Sequence, residues 1–139
     1  NVPFGKEGVL DVVPQESAVR LPSGLLLRYD DLRFDQTDKG TEFHYKTRRG
    51  RTRIYGGNVI ENVCQAIARC IIGEQMLLIA QKHHVVLTVH DSIVCCVPDE
   101  DVAQAQIDVE KSMRWVPEWA DGLPIDCEAG IGKSYGDCE

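Results

Sequence analysis

The chain has 139 residues, of which 43% are hydrophobic and 27% charged, and its formal net charge is −7 at pH 7. This length and composition are typical of one globular domain. A chain so acidic is not a general nucleic-acid coat, and its short apolar runs predict no segment that spans a membrane.

The first 56 residues predict a weakly structured start followed by strands. Proline and glycine punctuate residues 1–20, which favours a flexible N-terminal segment. Residues 25–34 are apolar and aromatic enough for a strand. Residues 41–47 and 52–55 predict a β-hairpin, so we expect residues 21–56 to form a strand and basic hairpin region.

A basic strip lies on this predicted hairpin. Its cations are Lys46, Arg48, Arg49, Arg51 and Arg53. A local basic strip on an acidic chain can bind a phosphate backbone, although exposed turns often carry charge without binding anything.

A long amphipathic helix is predicted over residues 59–82, where apolar residues recur at intervals of three and four. The apolar stripe comprises Ile60, Val63, Cys64, Ile67, Ala68, Ile71 and Ile72. The opposite side carries Glu61, Asn62, Gln65 and Arg69. That polar side is either a binding face or a solvated one.

A tight hairpin is predicted where two β-branched runs, residues 85–89 and 93–97, are separated only by His90, Asp91 and Ser92. So short a connection requires antiparallel strands, with His90 and Asp91 at the tip. A carboxylate among apolar strands is costly unless something offsets its charge, and Mg²⁺ is a hard cation that favours oxygen ligands. The alternative is an Asp that hydrogen-bonds its own turn.

The rest of the chain predicts a second helix and a last strand. Pro98 and the acids after it suit the first turn of a helix that runs to about Trp115, and residues 125–131 are typical of a strand. The expected fold is α+β, an antiparallel sheet with two helices packed on one face. Residues 57–139 would be a ferredoxin-like βαββαβ unit that lacks its first strand and exposes an apolar sheet face or edge.

Four segments, in order, resemble the C-terminal end of phage-encoded family A DNA polymerases. The first is the Leu-Pro-Ser-Gly turn with its following strand, residues 21–34. The others are Tyr-Gly-Gly-Asn-Val-Ile-Glu-Asn-Val-Cys-Gln-Ala-Ile-Ala-Arg (55–69), Val-Val-Leu-Thr-Val-His-Asp-Ser-Ile (85–93) and Pro-Glu-Trp-Ala-Asp-Gly-Leu-Pro-Ile (117–125). The resemblance covers residues 20–136, and the ordered run of four motifs is specific although each alone is weak.

The resemblance implies an incomplete polymerase palm, with the hairpin of residues 85–97 as its motif C. It implies that Asp91 binds a catalytic pair of Mg²⁺ ions, completed by residues outside this chain, and that His90 lies near the primer terminus. The implied reaction adds a dNTP to a primer 3′-hydroxyl by two-metal phosphoryl transfer. Gln65 matches the helix glutamine that faces the DNA minor groove, and Glu61, Asn62 and Arg69 share its side.

Two departures from the family pattern limit this expectation. Ser92 stands where the family usually has Glu, and the second catalytic Asp and the fingers helix are absent. The first residue is Asn1 rather than Met, so we expect a processed product or part of a longer protein. The isolated chain should be inactive without the remaining palm, fingers and thumb, and its expected location is the cytoplasm of a bacterial host that carries a phage or prophage.

Other interpretations remain open. The chain could be a non-catalytic, ferredoxin-like binding or regulatory module in which Asp91 is only structural. It could also be one chain of a naturally split polymerase, active only with its separate partner. A metal–thiolate protein is a distant third, because the six cysteines form no C-x-x-C pair and match no zinc spacing.

Overall fold

The computed structural model describes residues 1–5 and 8–138 and has an α+β fold of antiparallel sheets and two α-helices, which confirms the predicted class. The described strands are β1 Val2–Phe4, β2 Leu10–Val13, β3 Ala18–Arg20, β4 Leu26–Arg28, β5 Arg33–Thr37, β6 Gly40–Thr47, β7 Gly50–Ile54, β8 His84–Val89 and β9 Ser92–Cys96. The α-helices are α1 Gly56–Ala80 and α2 Val102–Met113. The chain divides into two compact units, Asn1–Ala68 and Arg69–Glu139, while the domain limits expected at residues 20 and 56 stay predictions.

The N-terminal residues form a four-stranded antiparallel sheet in the order β1-β2-β3-β4. The expectation of loop over residues 1–20 is therefore wrong for the strands, although Lys6 and Glu7 lie outside the described residues. Proline and glycine lie between these strands rather than within most of them, so they form the reversals of a meander. Its buried apolar residues are Leu10, Val13, Ala18 and Val19.

A second sheet in the first unit has the order β5-β6-β7. The predicted hairpin is confirmed, with Lys46 opposite Arg51 and Thr47 opposite Gly50. The single strand expected over residues 25–34 is instead divided between β4 and β5 by a turn, at which Asp31 has a φ of 51°.

The segment that follows β4 contacts strand β6 of the second sheet. The ring of Tyr29 packs edge-on against Tyr45 with 5.3 Å between ring centroids. The Lys46 amide donates a hydrogen bond of 2.7 Å to the carbonyl oxygen of Asp30.

Helix α1 confirms the long helix predicted from periodicity. Val63, Ile71, Gln75 and Ile79 are buried, and they follow one another at intervals of four or eight residues. By length and composition α1 is also long and apolar enough to cross a membrane. The expectation that no segment could do so is wrong on that test, which the core helix of a globular protein also passes.

The second unit contains the expected hairpin β8–β9 and then α2. The last strand expected over residues 125–131 is wrong, because this segment has no strand pairing. Two acceptors in this segment are hydrogen-bonded by a side chain instead. Arg114 donates to the Asp126 carboxylate at 2.7 Å and to the Cys127 carbonyl oxygen at 3.2 Å. The helix-strand-strand-helix order is thus confirmed without the closing strand, and the palm detail stays a proposal.

The β8–β9 pair carries the exposed apolar surface that an incomplete sheet predicts. Val86, Leu87 and Val89 are 47%, 42% and 36% exposed. The pairing register shifts between Val85 and Leu87, and such a bulge locally increases the twist of a strand.

Candidate active-site turn and nucleic-acid contacts

The turn between β8 and β9 has two residues, His90 and Asp91, and is closed by the pair Val89–Ser92. His90 has a φ of 54°, in the left-handed region of backbone conformation that residues other than glycine rarely adopt. The reversal therefore places a histidine under backbone strain directly beside the candidate carboxylate. Strain of this kind occurs often, but not only, at functional sites.

Asp91 is exposed at the tip of this hairpin. Within the described part of the chain, no hydrogen bond or ion pair involves its carboxylate. The alternative in which Asp91 hydrogen-bonds its own turn is thus not what the structure contains. The carboxylate is free to accept bonds or a cation from outside the chain.

No complete metal site accompanies Asp91. Among the described residues, no group of three or more His, Cys, Asp or Glu side chains is placed to hold a metal ion. Ser92, the next residue, is exposed and offers a hydroxyl instead of a second carboxylate. Because Mg²⁺ sites in proteins combine carboxylates with substrate phosphates and waters, Asp91 by itself is not such a site, and the described residues add no further ligands to it.

Some side chains on the polar side of α1 have hydrogen-bond partners within the chain. Glu61, Gln65 and Arg69 are exposed and follow one another at four-residue intervals. Gln65 donates a hydrogen bond of 3.3 Å to Glu61 through one of its two amide protons. Asn62 instead donates to the Tyr29 hydroxyl at 3.4 Å, so it is the member of the set with a partner in the first unit's core.

The basic strip separates into paired and unpaired cations. Arg51 bonds to the Asp31 carboxylate, and Arg53 lies 3.1 Å from Glu42. Hydrogen bonds from Arg33 and Arg51 hold the pKa of Asp31 below its ordinary value. In contrast, Lys46, Arg48 and Arg49 are exposed and form no ion pair with any described residue.

A buried polar residue that the sequence analysis did not single out is Gln75. It is 1% exposed on the apolar stripe of α1, and its amide donates to the carbonyl oxygens of Met113 and Trp115 at 2.7 and 2.9 Å. The available signal was a polar residue in step with Ile71 and Ile79, where the helical period predicts burial.

A second missed cluster lies at the start of β8. Asp108 on α2 accepts a hydrogen bond of 2.8 Å from Lys82 and lies 3.3 Å from His83 Nε2. The Lys82 hydrogen bond is the main cause that lowers the pKa of Asp108, with His83 contributing as well. These bonds tie α2 to the residues that lead into the strand ending at the His90–Asp91 turn.

The chain is similar to a DNA polymerase of Bacillus phage SP02. The two are 32% identical over 126 residues, and the match covers 84% of this chain and 19% of the phage protein. The chain thus spans about a fifth of the length of this curated relative. No protein-family profile matches the chain, and no solved structure matches it. The similarity to a segment of a phage DNA polymerase supports a polymerase-derived fragment.

Proposed function

We propose that this chain is the C-terminal palm segment of a phage-type family A DNA polymerase. The parent would add dNTPs to a primer 3′-hydroxyl under the direction of a template. The observation that carries the proposal is the His90–Asp91 turn, which holds an exposed carboxylate that has no partner among the described residues. The similarity to a phage DNA polymerase supports DNA synthesis as the reaction to which this carboxylate would contribute.

In this proposal Asp91 contributes one oxygen ligand to a Mg²⁺ pair. When bound, such a metal pair would supply Lewis-acid activation of the primer hydroxyl and would neutralise charge on the leaving pyrophosphate. Asp91 suits this role because its carboxylate is exposed and unpaired, so no internal bond has to break before it binds a cation. The remaining carboxylates come from outside the chain, since the described residues form no metal cluster.

Other residues of the chain would position DNA. His90 projects from the same turn and would lie near the primer terminus. Gln65 retains a free amide proton that can meet the acceptors shared by all base pairs in the minor groove, so its contact would not depend on sequence. Arg69 is exposed and could bind phosphate, whereas Glu61 and Asn62 would orient Gln65 and the helix.

The parent would work in the cytoplasm of a bacterial host, on primer–template DNA and dNTPs. The isolated chain would be inactive, because a single carboxylate binds Mg²⁺ weakly without partner carboxylates and substrate phosphates. The remaining palm, fingers and thumb are therefore its proposed partners.

The test is primer extension by the parent polymerase with Asp91→Asn, compared with Asp38→Asn, which changes an exposed aspartate in another hairpin turn. Loss of residues that merely support a metal ligand costs 10- to 100-fold, so loss of the ligand should reduce extension by at least about 100-fold. Asp38→Asn should leave it unchanged. Full activity of the Asp91→Asn enzyme would exclude the catalytic assignment.

A further inference from the structure

The turn between β6 and β7 holds two arginines on a hydrogen-bonded frame. The Thr47 hydroxyl donates to the Gly50 carbonyl oxygen at 2.8 Å and accepts from the Arg49 amide at 3.3 Å. Gly50 has a φ of 124°, which glycine adopts without strain. Arg48 and Arg49 occupy the tip, and we call them the diarginine turn.

The turn between β5 and β6 repeats this frame without the charge. The Thr37 hydroxyl donates to the Gly40 carbonyl oxygen at 2.9 Å and accepts from the Lys39 amide at 3.3 Å. Its tip residues are Asp38 and Lys39, whose charges cancel. The Thr-x-x-Gly frame thus forms with either pair of tip residues, so folding of the turn does not explain two adjacent arginines.

The strand arginines beside the diarginine turn have a different role. Arg51 is bonded to Asp31, and Arg53 to Glu42, whose side chain is only 21% exposed. Each of these guanidinium groups already has a carboxylate that offsets its charge and accepts from part of its donor set. Arg48 and Arg49 have no such competitor among the described residues.

We infer that the diarginine turn is the phosphate-binding element of the basic strip, whereas Arg53 pairs with Glu42 across the β6–β7 hairpin and Arg51 bonds to Asp31 in the turn before β5. The ligand is the phosphate backbone of DNA, which an arginine fork can bind through two donors. This inference rests on the proposed function for its choice of DNA. It reduces the candidate phosphate contacts among the four arginines of the basic strip to Arg48 and Arg49.

The test measures how DNA affinity of the full chain depends on salt. Fluorescence anisotropy of a labelled primer–template duplex, at several NaCl concentrations, yields the slope of log K against log[NaCl]. Each lost phosphate contact reduces the magnitude of this negative slope by about 0.9 on B-form DNA. Arg48→Gln with Arg49→Gln should therefore reduce the magnitude by roughly 1.8. Arg51→Gln with Arg53→Gln, which removes the same charge, should leave it unchanged.

A third variant separates position from total charge. Arg48→Gln and Arg49→Gln remove two positive charges. Adding Asp38→Arg removes one negative charge and adds one positive charge, so the net charge stays at −7. The slope should stay low, because the charge lies at the wrong turn. Recovery of the slope, an equal fall in both double variants, or no DNA binding by the unaltered chain would each overturn the inference. If polyglutamate displaced the labelled duplex as effectively as unlabelled DNA does, the ligand would be an acidic protein surface, and this result would overturn the inference as well.

The Asp91→Asn chain serves to distinguish this inference from the polymerase proposal. It should bind the duplex with the unaltered salt slope, since Asp91 is not part of the diarginine turn. If Asp91→Asn leaves extension by the parent intact while the turn variant lowers the slope, the catalytic proposal fails and the phosphate contact stands. The opposite pair of results overturns only the phosphate contact.

Discussion

The side-chain amide of Gln75 donates a hydrogen bond of 2.7 Å to the carbonyl oxygen of Met113, the last residue of α2. The same amide reaches the Trp115 carbonyl oxygen at 2.9 Å. The last carbonyls of a helix lack intrahelical partners, so one buried side chain on α1 satisfies the end of α2. This clamp joins the two helices within the second unit.

Replacement of Gln75 by Leu should lower the free energy of unfolding by about 1–3 kcal/mol, because two carbonyl oxygens lose their donor. Gln75→Glu should cost more, since it places a charge in a buried site. Urea unfolding followed by circular dichroism measures both changes. Gln81→Leu, at an exposed position beyond the end of α1, is the control, and equal stability of Gln75→Leu and the unaltered chain would show that the clamp does not stabilise the fold.

The left-handed conformation of His90 predicts opposite effects for two substitutions. His90→Gly should raise stability by up to about 1 kcal/mol, because glycine adopts positive φ without the cost of a Cβ. His90→Val should lower it, since a β-branched residue is the least suited to this conformation. Thermal unfolding of both variants tests the turn. A valine variant at least as stable as the glycine variant would contradict the left-handed geometry.

The second unit should lose stability in acid. Hydrogen bonds from Lys82 lower the pKa of Asp108, and hydrogen bonds from Arg114 lower those of Glu110 and Asp126. A carboxyl whose pKa is lower in the folded state stabilises the fold above its unfolded pKa. That contribution is lost as the pH falls through the folded pKa, below the ordinary values of 3.8 and 4.5.

Urea midpoints measured from pH 7 to pH 3 should therefore decrease at the acidic end. Arg114→Gln removes the donor shared by Glu110 and Asp126 and should make this decrease smaller. A pH dependence that Arg114→Gln leaves unaltered would exclude these ion pairs as its source.

The purified chain should show no primer extension with Mg²⁺, dNTPs and primer–template DNA. Asp91 is the single carboxylate at its hairpin tip, and the rest of a polymerase site would have to come from residues outside this chain. Adding the remaining part of the parent should restore extension if the pieces assemble. Extension by the chain alone that Asp91→Asn abolishes would contradict this prediction, and the variant excludes a contaminating enzyme.

Local patterns predicted the elements whose bonds join residues close in sequence. The helical period of residues 59–82 predicted α1 to within a few residues, and the short connection at His90 and Asp91 predicted the β8–β9 hairpin. The N-terminal strands were missed because they have only three or four residues each, too few for alternation to be recognised. The extra strand after α2 was predicted from the local sequence, although a strand also needs a partner.

The amino-acid pattern is enough to locate charge and apolar residues along the chain, including the strip of cations and the turn carboxylate. Which of those charged and polar groups have a bonding partner depends on the folded chain. Asp31 binds Arg51 across 20 residues and Gln75 reaches Met113 across 38. No periodicity encodes such pairs, because they form only where the folded backbone brings distant segments within hydrogen-bond distance.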